Sequence, residues 1–308
     1  MSDIPYRGSG PYCYSNCLAM MMGAGAPDVG VIETVTGSAF GMQLVGGELP
    51  FLDPFGWDPG IGIDDALRVL GWGADVSSGG SVGEALGRLM AGLRDGPVMV
   101  GPVEMGHLRY QPGMTGAVGA DHFLVVLAVD DTHVTVHDPE GFPYARMPVG
   151  EFITAWQGES VDYGQPFTMR TNFVRRTAVD PHDAVRAIIP RAIEWLSGKN
   201  GADTPPGSLG NGDAAHALAA QLESGCPEPI RAQLVHFAIR VGAHRLADAA
   251  TCLHGIGHTA AAAIATEQAR LVGALQYALV TEDDPGAADL LRTLAPTYDR
   301  LRTALENH

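Results

Sequence analysis

The spacing of apolar positions changes near residue 180. Up to about Val179 they come in short runs cut by Gly, Pro and Asp; from about Pro181 they recur at helical intervals among Ala, Leu and Arg. The first pattern predicts a mixed domain over 1–179, the second an all-α domain over 180–308. In the first part, CYSNCLAMMM predicts a helix over 13–22. PVMVGPV (97–103), HFLVVLAV (122–129) and HVTVH (133–137) predict strands, the last two joined through Asp130-Asp131-Thr132 as a tight hairpin. Residues 144–148 add a further strand, 64–70 and 82–93 helices, and 149–156 a short amphipathic helix. Between the first helix and residue 64 the chain reads as a long loop through Phe51-Leu52-Asp53-Pro54-Phe55-Gly56-Trp57. In the second part helices are expected over 183–196, 213–222, 229–241, 247–253, 259–280 and 285–306, with 197–212 an exposed loop rich in Gly, Pro, Asn and Asp.

With 46% hydrophobic and 18% charged residues in 308, the chain can bury one large or two ordinary cores. A formal net charge of −16 argues against nucleic acid or an anionic membrane as a partner. No basic segment precedes the apolar run at 17–22, and no stretch approaches a membrane span, so a cytoplasmic location is expected. Cys13, Cys17, Cys226 and Cys252 lack regular spacing and are expected as reduced thiols.

Cys13 follows Gly10-Pro11-Tyr12 and begins the first helical run. At a helix N-terminus, unpaired backbone N–H groups and the helix dipole stabilise a thiolate, and the same amides can bind an oxyanion. Cys17, one turn on among Leu18, Ala19 and Met20, is expected in the core. His122 opens one strand of the hairpin and Asp138 closes its partner, sixteen residues on. With the turn centred near Asp131 the two lie side by side, so the carboxylate can orient the ring: a nucleophile, a base and an orienting group. Taken singly, each has a structural alternative: a buried thiol, a strand-end histidine, a turn aspartate before Pro139.

Cys13-x3-Cys17-Leu18-Ala19-Met20, the Gly96-Pro97-Val98-Met99-Val100 strand and the His122 to Asp138 spacing resemble bacteriocin-processing cysteine peptidases, which have a papain-like fold. Gly10-x-x-Cys13-x-Ser15, Asp95-Gly-Pro-Val-Met-Val100, Leu108-x-Tyr110 and Asp138-Pro139 resemble the butirosin-biosynthesis acyltransferase family, in which a helical C-terminal part accompanies the catalytic domain. The resemblance implies an α+β papain-like domain with its N-terminal helix on an antiparallel sheet, followed by an all-α domain. It also implies cofactor-independent, metal-free acyl transfer of bacterial natural-product biosynthesis. Cys13 would attack a thioester, commonly one on an acyl carrier protein, and a small-molecule amine would accept the acyl group while His122 shuttles protons. The chain departs from the family at Tyr12, where His is usual, and at Arg7, where papain-like peptidases place Gln. Arg7, Ser9, Tyr12, Ser15, Trp57, Tyr110 and Asp121 are therefore the candidates for oxyanion or substrate contacts. A carrier protein is usually acidic, so docking would require an arginine patch such as Arg170, Arg175 and Arg176. A peptidase or amidase of the same fold and an inactive binding module are the alternatives; homo-oligomerisation stays open.

His254-Gly-Ile-Gly-His258 has i, i+4 spacing but two intervening glycines and no Glu after the first His, so a metal site is not expected. Glycines at 60–62 and 207–212 lack a preceding strand and a Lys-Ser/Thr ending, which argues against a phosphate loop. Asp64-Asp65, Asp130-Asp131 and Glu282-Asp283-Asp284 read as helix starts and turns.

Overall fold

The structure is a computed structural model, and it describes residues 8, 10–198 and 204–307. In chain order these form α1 (Cys13–Met22), α2 (Val29–Val35), β1 (Gln43–Val45), β2 (Leu49–Phe51), α3 (Pro59–Val69), β3 (Trp72–Ser77) and α4 (Val82–Gly92). There follow β4 (Val98–Glu104), β5 (Asp121–Val129), β6 (His133–Asp138), β7 (Phe142–Pro148), α5 (Val149–Gln157) and β8 (Met169–Arg175). The remainder is α6 (Pro181–Leu196), β9 (Leu209–Gly210), α7 (Asn211–Gly225), α8 (Glu228–Gln233), α9 (Ile239–Gly255), α10 (Thr259–Val280) and α11 (Asp284–Glu306).

Two compact units emerge, and the first is interrupted. One is drawn from Met1–Val29 and Gly71–Ala178, the other from Gly30–Leu70 and Val179–His308. The expected 1–179 domain is thereby corrected, because residues 30–70 pack with the C-terminal helices.

In the first unit six strands form an antiparallel sheet in the order β3-β8-β4-β5-β6-β7. α1 packs against β5, β4 and β8, and α5 packs against β4. β4 is covered on both faces and is buried at every residue, which is why it reads as an unbroken apolar run. Leu89, Val100, Leu124, Val126, Val136, Phe152 and Trp156 share one core. Phe123, pointing the other way by strand alternation, meets Tyr14 of α1 edge-on at 6.0 Å. α4 begins at a reciprocal cap: the Ser81 hydroxyl accepts from the Glu84 N–H at 3.3 Å, and the Glu84 carboxylate accepts from the Ser81 N–H at 2.7 Å. The β5–β6 turn is held by Asp130, whose Oδ1 accepts from the N–H groups of Thr132 and His133. Those hydrogen bonds hold its carboxyl far below the usual carboxylate range.

The second unit contains the segment expected as a long loop. α2 and the β1–β2 hairpin occupy it, and β9 pairs with β1 in the order β2-β1-β9, so the expected loop over 197–212 contributes a strand. Asn211, at φ 51°, joins the two segments: its N–H donates to the Met42 carbonyl at 2.7 Å and its side-chain amide to the Leu196 carbonyl at 2.8 Å. α3 starts at Pro59, capped by Asp58 through the Ile61 N–H at 3.0 Å, so Asp64 and Asp65 lie inside the helix and do not start it. α9 runs without interruption across the expected gap at 242–246; it packs on α10, and α11 packs on α7. Among the described residues no helix is long and apolar enough to cross a membrane.

Candidate active site

Three elements of the first unit position the candidate residues Cys13, His122 and Asp138. α1 begins at Cys13; its N-cap residue Tyr12 supplies no side-chain cap, and the Tyr12 carbonyl is held by the backbone and side-chain N–H groups of Asn16 at 2.9 and 2.8 Å. Cys13 is therefore the residue at the positive end of the helix dipole. It is partly exposed, whereas Cys17 is fully buried. Burial, and then the neighbouring charges of Cys13 and Asp138, push the Cys17 thiol well up, so it stays protonated as packing.

His122 and Asp138 come together through the hairpin register. Val125 faces His137 and Val126 faces Val136, but the pairing shifts by one residue between Val126 and Ala128. Continuing the register puts Asp138 opposite Leu124, diagonal to His122 instead of directly across as expected. Without the bulge Asp138 would lie opposite Val125, one residue further away. The ring Nε2 of His122 donates to Asp138 Oδ1 at 2.7 Å, with the two side chains 4% and 0% exposed. The Cys13 thiol lies close enough to the ring to favour its protonated form.

Burial opposes a charge on His122, but the Asp138 carboxylate, its hydrogen bond and the Cys13 thiol outweigh that and raise the ring well above the ordinary 6.5. Burial likewise opposes the Asp138 charge; His122, the Glu140 N–H and Gln111 overcome it and hold the carboxyl below 3.8. The carboxylate is fully subscribed. Oδ1 also accepts from the Glu140 N–H at 2.8 Å, and Oδ2 accepts from the Tyr110 hydroxyl at 2.8 Å and the Gln111 amide at 2.6 Å. Burial and the Asp138 charge raise the Tyr110 phenol well above 10, which keeps it a donor.

The other expected contacts divide. Arg7 and Ser9 lie outside the described residues. Tyr12 and Ser15 are buried, at 3% and 0% exposed, so their side chains are not open to a substrate. Tyr110 is partly exposed and its hydroxyl donates to Asp138. Asp121 accepts from the Tyr163 hydroxyl. Trp57 belongs to the second unit, where its indole N–H donates to the Thr36 carbonyl at 3.0 Å; in the same unit the Gln43 side chain accepts from the Gly56 N–H and donates to the Trp57 carbonyl. Arg170 is 6% exposed, which removes it from any docking patch; Arg175 and Arg176 are exposed. His254 and His258 do not share a helical face, because α9 ends at Gly255 and His258 precedes α10. Among the described residues no group of three or more His, Cys, Asp or Glu could hold a metal ion. Gln111 was not anticipated. It sits in a segment without periodicity, and its one signal is adjacency to Tyr110.

Removing either donor should leave a buried charge short of a partner. Tyr110→Phe and Gln111→Leu are each expected to cost about 1.5–3 kcal/mol, the range for hydrogen bonds to charged groups. Urea unfolding at neutral pH checks this; losses within experimental error would mean that neither donor supports an ionised Asp138.

Residues 205–306, within the second unit, match a family model described as the YobF C-terminal domain. Over 309 aligned residues the chain is 27% identical to the uncharacterized protein YobF of Bacillus subtilis (strain 168), with 97% of each chain covered.

Proposed function

We propose that the first unit is a papain-like cysteine acyltransferase, acting through an acyl-Cys13 intermediate, with His122 as base and Asp138 as its orienting group. The observation that carries this is the buried 2.7 Å His122–Asp138 hydrogen bond, with the Cys13 thiol at a helix N-terminus near enough to favour the charged ring. A helix packed on an antiparallel sheet supports the papain-like reading, and the sequence resemblance supplies the reaction class.

In this reading the Cys13 thiolate attacks the carbonyl of a thioester. The carbon–sulfur bond to the donor breaks, and the departing thiol takes its proton from the His122 imidazolium. An amine then attacks the acyl-Cys13, giving up its proton to His122, and the bond to Cys13 breaks to release an amide and regenerate the thiolate. In this reading the N-terminal amides of α1 would supply donors to a developing oxyanion. A natural-product amine as acceptor and a carrier-bound acyl group as donor follow from the resemblance.

Intact mass spectrometry after incubation with a panel of acyl-pantetheine thioesters tests the proposal. Wild type should gain the acyl mass and Cys13→Ala should not; added amines should discharge the adduct faster than water does. Discharge by water alone would favour a hydrolase of the same fold. Absence of any adduct, together with a Cys13 inert to iodoacetamide at neutral pH, would overturn catalysis.

A further inference from the structure

At the end of β4 an unbroken apolar run terminates in Glu104, a carboxylate only 1% exposed. Four donors converge on it. Oε1 accepts from the N–H groups of Gly106 at 3.0 Å and Val118 at 2.9 Å; Oε2 accepts from the Gly119 N–H at 3.0 Å and from the Ser160 hydroxyl. These donors outweigh the burial that opposes the charge and keep the group ionised.

The geometry of this neck matters because of what the loop carries. Gly106 and the Val118–Gly119 pair bracket the segment between β4 and β5, and the Met105 N–H donates to the Ala120 carbonyl at 2.8 Å beside them. A Cβ at Gly106 would run into the Gly116 carbonyl oxygen, so the two ends of the loop are in direct backbone contact. Within the loop, the Gln111 N–H donates to the Leu108 carbonyl at 2.8 Å and the Met114 N–H to the Gln111 carbonyl at 3.2 Å. This places Tyr110 and Gln111 on a turn that rejoins the sheet through the neck, and Leu108 in the core and the Tyr110 ring against Phe142 of β7 also hold that turn. Those two side chains are the donors to Asp138 Oδ2.

We propose that Glu104 is a positioning residue for the Cys13–His122–Asp138 site: by gathering Gly106, Val118, Gly119 and Ser160 it closes the 105–120 loop and holds Tyr110 and Gln111 against Asp138. The inference rests on the catalytic reading above and adds a residue with no contact to the reacting atoms. A carboxylate is required because all four groups donate. A glutamine would turn its amide N–H bonds against at least one backbone N–H donor, so an isosteric exchange opens the neck.

The test is the rate of iodoacetamide addition to Cys13 in the full chain, located by peptide mass spectrometry and compared at pH 6 and pH 9. Wild type should react readily at pH 6, where an ordinary thiol is almost entirely protonated. Glu104→Gln should lose roughly tenfold at pH 6, about one pKa unit of lost support to the ring, with little change at pH 9. Ser160→Ala, which removes one donor and is the milder variant should Glu104→Gln fail to fold, should move the same ratio in the same direction by a smaller factor. In an Asp138→Ala background Glu104→Gln should have no further effect. A wild type that is slow at pH 6 overturns the catalytic reading and this inference with it. Fast wild type with an unchanged ratio in a folded Glu104→Gln, or an undiminished further effect without Asp138, overturns the inference alone.

Discussion

If the site works as proposed, replacing His122 with glutamine is expected to lower acyl transfer by about 10²–10⁴-fold, the range contributed by a positioned acid–base group. The glutamine can still hydrogen-bond Asp138 but can neither accept the nucleophile's proton nor carry a charge beside the thiolate. The pH dependence makes the prediction specific. In wild type the ring is held well above 6.5, so in the proposed reading an imidazolium stands beside Cys13 through neutrality and Cys13 alkylation should persist at pH 6. In His122→Gln the pH 6 rate should collapse while the pH 9 rate survives. Stability should follow the same two groups. The raised His122 contributes fully below 6.5, and its contribution is lost as pH rises through the folded value; the depressed Asp138 contributes above 3.8 and is lost as pH falls through its folded value. The difference in unfolding midpoint between wild type and variant is therefore largest between those two limits and narrows toward alkaline pH. Equal pH 6 alkylation rates in the two proteins would rule out an ion pair at the site.

Much of the site was legible because its parts lie at element boundaries that carry local signals. Gly10 and Pro11 before a helical run place Cys13 at the first residue of α1, and Asp130 marks the turn that brings β5 and β6 together. The β-bulge was not legible, since nothing in the run from His122 to Val129 announces a one-residue shift. Gln111 and Glu104 were missed for a related reason: they act through loop geometry, which leaves no period in the sequence. β3 and β8 were missed because they are mixed in polarity and largely solvated on one face; Val76 and Val174 are exposed at 54% and 56%. In the second unit, β1 and β2 are three residues each, too short to alternate visibly.

The same limit explains the misplaced domain boundary, and it leads to the largest expected stability effect. What ties residues 30–70 to the C-terminal helices includes a buried ion cluster whose members are about two hundred positions apart. Arg245 of α9, 5% exposed, donates from Nε to Glu33 at 2.7 Å and from Nη1 to Asp53 at 3.2 Å. Glu33, at 0% exposed, also accepts from the Ser38 hydroxyl at 2.9 Å, and Asp53 from the Gln43 amide at 2.7 Å. Arg245→Met preserves most of the side-chain volume but leaves two carboxylates without their cation in a dry environment. The expected cost is about 3–5 kcal/mol, because the desolvation already incurred is no longer offset. Replacing all three charges at once, as Glu33→Met, Asp53→Leu and Arg245→Met, should recover most of that loss, since an apolar cluster of similar volume carries no unpaired charge. Urea unfolding followed by circular dichroism distinguishes the outcomes. A single variant within about 1 kcal/mol of wild type would mean that water reaches the carboxylates and the cluster behaves as a surface pair. A triple variant no better than the single would assign the loss to packing of the Arg245 stem, not to the charge it carries.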